Sequence, residues 1–181
     1  CSVHKASAEA FFEESHARDM LNIAGKVMMD RNAPDGLLDT PQSGYDDTRA
    51  LIGEWHGKGR QHVAITPRFA ITSSPEQMEM AGALAKEFPN LHVQTHLSEN
   101  HAEIAYTCEL YPQAKDYTDI YDRYGLLGKR TLLGHCIHLS EREADALSDS
   151  GSVAVFCPTS NLFLGSGLFD YQRFRRREKP L

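Results

Sequence analysis

Apolar and polar positions along the chain follow two alternating rhythms. Short apolar runs read as strands at residues 20–29 (MLNIAGKVMM), 62–66 (HVAIT), 91–95 (LHVQT), 131–134 (TLLG) and 153–156 (VAVF). Between them lie stretches of helical spacing. Residues 7–18 read as a helix, and Leu51, Ile52 and Trp55 share one helical face after a loop at 30–46 rich in Asp, Pro and Gly. Ser74-Pro75-Glu76-Gln77 reads as a capping box with proline at the first helical position, and Met78, Ala81, Leu84, Ala85 and Phe88 form the stripe behind it. Helical segments follow through Ile104 and Leu110 and around 120–124. A second capping box, Ser140-Glu141-Arg142-Glu143, opens a helix that stops near Ser150-Gly151.

Strand–helix alternation with apolar, two-sided strands predicts a parallel sheet covered by helices. A doubly wound sheet and a (β/α)₈ barrel both satisfy that pattern. No Gly-x-Gly-x-x-Gly turn follows a strand, which removes the main argument for dinucleotide binding. Arg68, His96 and His135, with Asn161 a candidate fourth, follow the carboxyl ends of successive strands, as polar residues do at a barrel mouth. Five strands are visible where a closed barrel has eight and takes about 250 residues. The expectation is therefore an α/β fold, a partial TIM (β/α)₈ barrel over residues 1–170, followed by a basic tail at 171–181.

Composition narrows the function classes. With 41% hydrophobic and 24% charged residues, the 181-residue chain has the make-up of a globular domain. A net charge of −6 argues against nucleic acid as the main partner. No apolar run approaches the roughly 18 residues of a membrane span, and the first residues lack the pattern of a signal peptide. A start at Cys1 hints at processing or an incomplete chain. Cys1, Cys108, Cys136 and Cys157 are widely spaced without a Cys-x-x-Cys pair, so a reducing cytoplasm and ordinary buried thiols are expected.

The candidate chemistry lies at His96, Glu99 and His135. Two strand-end imidazoles in successive βα units, with a carboxylate beside the first, are the residue types of a metal-assisted hydrolase. Glu99 also opens a helix, where the macrodipole favours a carboxylate anyway. Arg68-Phe69, after Thr66-Pro67, could hold a flat heteroaromatic ring, the guanidinium bonding a ring carbonyl and the phenyl packing against the ring; a surface arginine beside a core phenylalanine accounts for the pair equally well. His4, His16, His56 and His92 read as surface or satisfied core residues, Lys26 as an ordinary lysine, and Gly165-Ser166-Gly167 lacks the rest of a phosphate-loop motif.

These residues resemble a family. Thr95-His96-Leu97-Ser98-Glu99, Gly134-His135 and Cys157-Pro158-Thr159-Ser160-Asn161 resemble the signatures of the deaminase branch of the amidohydrolase superfamily. The run at 24–34 (AGKVMMDRNAP), Thr66-Pro67-Arg68-Phe69 and the segment 161–167 (NLFLGSG) resemble the guanine deaminases within it. The resemblance runs from about Ser7 to Asp170 and implies barrel strands three to seven. It implies a zinc cofactor with His96 as a metal ligand, Glu99 as proton shuttle and His135 beside the attacking water. It also implies that Arg68 and Phe69, with the segment His96, Leu97, Ser98 and Glu99, bind guanine. The expected reaction is guanine plus water to xanthine and ammonia, a step of purine catabolism, in a complete enzyme that is a homodimer. The family's His-x-His ligands would fall before residue 1 and its aspartate ligand beyond residue 181, so the isolated chain is expected to be inactive. The alternatives are an inactive fragment or pseudoenzyme, and an amidohydrolase for another heteroaromatic such as a triazine or pterin.

Overall fold

The computed structural model describes residues 2–176. They form two compact units, one of residues 2–68 with 72–93, the other of 69–71 with 94–176. The basic tail at 171–181 is described only as far as Arg176. Among the described residues no helix is long and apolar enough to cross a membrane.

In the first unit the order is α1 (Lys5–Ala17), β1 (Asn22–Ala24), β2 (Val27–Met28), a 3₁₀ turn at Asp35–Leu37, α2 (Pro41–Trp55), β3 (Gln61–Pro67), α3 (Pro75–Glu87) and the start of β4 (His92–Leu97). β1 and β2 both pair parallel with β3, in registers Asn22↔Gln61 and Val27↔Thr66, and β3 pairs parallel with β4 at Ala64↔His92. Val63, Ala64 and Ile65 are fully buried, as a central parallel strand covered on both faces requires. Leu51 of α2 and Met78, Ala81 and Leu84 of α3 are completely buried, while Ala85 and Phe88 at the far end of the α3 stripe are half-buried. Phe12 of α1 stacks on Trp55 of α2 at 5.7 Å between ring centroids.

Three expectations are refined here. The strand expected over residues 20–29 is broken into β1 and β2 around Gly25 and Lys26. A Cβ at Gly25 would sit 2.1 Å from the Ala64 carbonyl oxygen, so only glycine permits this approach of backbone to β3. Lys26, expected to be ordinary, is 2% exposed; its Nζ bonds the Val27 carbonyl oxygen and pairs with Asp39. At α3 the Ser74 side chain caps the Gln77 N–H at 3.1 Å, but the reciprocal half of the box is missing. Gln77 is instead buried with both side-chain polar atoms unpaired, while the Ser74 hydroxyl donates to Asp30.

The second unit holds the end of β4, then α4 (His101–Leu110), α5 (Tyr117–Arg123), β5 (Thr131–His135), α6 (Glu141–Ser150), β6 (Val153–Val155), α7 (Pro158–Phe163) and α8 (Tyr171–Arg175). β5 and β6 are parallel, with Leu132 opposite Val153. The capping box Ser140/Glu143 is present in full, and α6 ends on Gly151 at φ 75°, a left-handed cap that suits glycine. The Arg173 side chain of α8 pairs with Glu141 at 2.7 Å, and Phe174, 8% exposed, stacks on Phe169. The first part of the tail is thus packed in place, and residues 177–181 lie outside the described residues.

Candidate active site

Strand ends and the turns after them build the site in the second unit. β4 delivers His96, Leu97 and Ser98, and β5 ends on His135. The two turns are laced together: the Cys136 N–H donates to the Leu97 carbonyl at 2.9 Å, and those of Ile137 and His138 both donate to the Ser98 carbonyl at 3.1 Å. This lacing holds Ser98, His135 and Cys136 at φ values of 51°, 72° and 49°. Left-handed backbone on non-glycine residues costs about 1–3 kcal/mol each and persists only where the surroundings over-determine it.

The geometry brings the candidates together. The rings of His96 and His135 stack at 5.3 Å between centroids, and the Phe69 ring lies 5.8 Å from that of His96. Glu99 Oε2 is 3.5 Å from His135 Nε2. His96 is exposed and His135 is 5% exposed. Leu97 and Ser98 are fully buried, the Ser98 hydroxyl among the buried polar atoms without a partner. Arg68 ends the first unit's stretch of chain, exposed, with its backbone N–H donating to the Met28 carbonyl at 3.2 Å.

Several supporting residues were not singled out from sequence. Glu103 of α4 accepts the N–H groups of Glu99 at 2.7 Å and Asn100 at 3.1 Å, and the hydroxyl of Tyr117 at 3.0 Å. Burial outweighs these bonds and holds its carboxyl above the usual range. Asn100 returns the cap, accepting the Glu103 N–H at 2.9 Å, so Asn100-His101-Ala102-Glu103 was a readable capping box. Tyr121 of α5, fully buried, donates its hydroxyl to the His96 carbonyl at 2.7 Å and accepts the Ala70 N–H at 3.2 Å. It thereby ties the backbone beside Phe69 to that of His96. No periodicity could have found Tyr121, because its role depends on where α5 packs. Ser166, from the Gly-Ser-Gly segment, donates to Glu99 Oε1 at 3.1 Å, and its carbonyl accepts His138 Nε2–H at 2.8 Å. Asn161 of α7, already picked out by its place after a strand end, meets His135 Nδ1 at 2.7 Å.

Chemically the cluster offers two imidazoles, a carboxylate held by the Ser166 hydroxyl and an aromatic face. Imidazole and carboxylate are donors that zinc takes. Among the described residues, however, no group of three His, Cys, Asp or Glu side chains converges closely enough to hold a metal alone. The fit is therefore partial: His96 can contribute one ligand to a centre that needs others.

Parallel strands alternating with helices, with polar residues gathered at carboxyl strand ends, define a (β/α)₈-type barrel segment of the kind that carries enzyme sites. The chain belongs to the Amidohydrolase family, whose profile matches residues 2–174. It is 55% identical over 172 residues to a guanine deaminase of Escherichia coli (strain K12), covering 95% of this chain and 39% of that one. The solved E. coli guanine deaminase superposes with a TM-score of 0.97 at 53% identity, over 98% of this chain and 41% of that structure. A guanine deaminase from C. acetobutylicum, solved with guanine bound in its active site, superposes at TM-score 0.93 and 34% identity, over 99% and 43%. The chain thus spans about two fifths of the length of these relatives. The partial-barrel fold expected from sequence is the fold of this family.

Proposed function

We propose that this chain is the segment of a guanine deaminase that carries its proton shuttle and purine contacts. The observation that carries this reading is the convergence of Glu99, His96, His135 and Phe69 at adjoining strand ends. Relatives named guanine deaminase, one of them with guanine in its active site, support the substrate.

The reaction joins water oxygen to C2 of guanine, breaks the C2–amine bond and releases ammonia. Zinc, where bound with His96 as one ligand, supplies the Lewis acidity that makes hydroxide available near neutral pH. Glu99 takes the proton of the attacking water and delivers it to ring N3 as the C2–O bond forms, then carries the remaining hydroxyl proton to the amine as the C2–N bond breaks and ammonia leaves, a role worth about 10²–10⁴-fold in rate. Ser166 holds the carboxylate and Glu103 holds the backbone N–H of the same residue for that transfer. His135, anchored on Nδ1, presents Nε2 beside Glu99 to orient the water. Phe69 packs against the purine, and Arg68 bonds its ring carbonyl. We read the whole protein as a cytoplasmic homodimer, on the strength of the family resemblance.

Loss of guanine absorbance, followed with zinc supplied in a form of the protein that turns over guanine, tests the proposal. Turnover should fall by about 10²–10⁴-fold in Glu99→Gln. Arg68→Ala should raise KM more than it lowers kcat. Turnover that survives Glu99→Gln would overturn the assignment of the proton shuttle.

A further inference from the structure

His135 has two ring nitrogens with different neighbours, and the neighbours decide which one carries the proton. Nδ1 meets Asn161 Oδ1 at 2.7 Å. An amide oxygen can only accept, so Nδ1 must donate. Nε2 faces Glu99 Oε2 at 3.5 Å, too long for a good hydrogen bond, so the 2.7 Å contact at Nδ1 is the one that fixes the proton. We propose that Asn161 is a positioning residue that sets His135 in the Nδ1–H tautomer and leaves the Nε2 lone pair on the Glu99 side. The geometry stands alone; its meaning for catalysis rests on the proposed function above.

Asn161 is built to do this. It is 1% exposed, its backbone N–H donates to the Cys157 carbonyl at 3.0 Å, and its carbonyl accepts the Ser166 N–H at 2.9 Å. Ser166 in turn reaches Glu99 through its hydroxyl. One short stretch, Asn161 to Ser166, therefore holds His135 by one residue and Glu99 by another. The Asn161 Nδ2 is buried without a hydrogen-bond partner. A buried amide left half-satisfied costs about 1–3 kcal/mol, yet the fold keeps a polar side chain here where an apolar one would cost less. The oxygen's bond to His135 is what the amide secures. With its proton on Nδ1, His135 acts toward water or purine as an acceptor through Nε2, beside the carboxylate that moves the proton.

Nitrogen-15 NMR of the 181-residue chain labelled at histidine tests this directly. Spectra are taken well above the ordinary imidazole pKa of about 6.5, with His135 assigned by its loss in His135→Gln. The expected result is a protonated-type Nδ1 and an unprotonated-type Nε2 signal. Asn161→Leu, which keeps the shape and removes the acceptor, should shift the tautomer ratio toward Nε2–H by about tenfold or more. Asn161→Asp, which keeps the acceptor, should retain Nδ1–H. An Nε2–H signal in the unmodified chain would mean the amide is turned the other way and would overturn the proposal, as would an unchanged ratio in Asn161→Leu. The unmodified spectrum decides even if a variant fails to fold. None of these readouts depends on guanine turnover, so failure of the guanine reading leaves them intact. In a form that turns over guanine, Asn161→Leu should lower kcat about 10-fold or more with little change in KM, and Asn161→Asp should recover part of the loss.

Discussion

The two units place backbone strain and buried charge differently. In the first, left-handed backbone on non-glycine residues falls on Asp19 and Asn32, types that tolerate it in turns. In the second it falls on Ser98, His135 and Cys136, all of them buried, and serine and cysteine seldom adopt it. Buried charge in the first unit is the pair Lys26–Asp39, which pins the break between β1 and β2 to the following loop. In the second, Glu103 is wired through hydrogen bonds to the backbone of a candidate catalytic residue. One arrangement secures a fold; the other holds side chains in positions they would not otherwise keep.

The largest effect should come from the first unit's ion pair. Lys26→Ala leaves the Asp39 carboxylate, 13% exposed, without its partner and should cost about 3–5 kcal/mol in urea unfolding. A cost near zero would show that water replaces the lysine and that the pair is not structural.

Next comes Glu103→Ala, which strips partners from two backbone N–H groups and the Tyr117 hydroxyl, at about 2–3 kcal/mol. Its pH dependence has a definite sign. Burial raises the folded pKa of Glu103 above the unfolded value of about 4.3. The folded state therefore holds the proton more tightly, and that contribution is full below about pH 4.3 and is lost as pH rises through the folded pKa. Wild type should thus lose stability relative to Glu103→Gln as pH rises through that window. A difference that is flat with pH would contradict the buried, raised carboxyl.

The smallest effect sharpens the contrast in strain. Ser98→Gly should stabilise the protein by about 1 kcal/mol, since it relieves a left-handed serine whose hydroxyl has no partner. Asp19→Gly should change stability by no more than a few tenths. Equal effects at the two positions would erase the distinction drawn between the units.

Much of this was legible beforehand. Five apolar runs and the spacing of the helices were enough to predict parallel βα units, because strand and helix periodicities are local properties of the chain. His96, Glu99 and His135 could be picked out because each follows a strand end, where a barrel gathers its chemistry. The break at Gly25 was not readable, because it depends on how close the Ala64 carbonyl comes. Nor was the half-made cap of α3, since Ser74 finds Asp30 across 44 residues of chain.

The sequence by itself determined the order of elements, the family and the residue types at the site. Tertiary structure alone decided which nitrogen of His135 is held, that Ser166 supports Glu99, and that one tyrosine hydroxyl joins the backbone beside Phe69 to that of His96. The physical reason is range. Periodicity and capping act over one or two turns, whereas a hydrogen bond between residues 26 or 67 positions apart exists only once packing has brought them within about 3 Å.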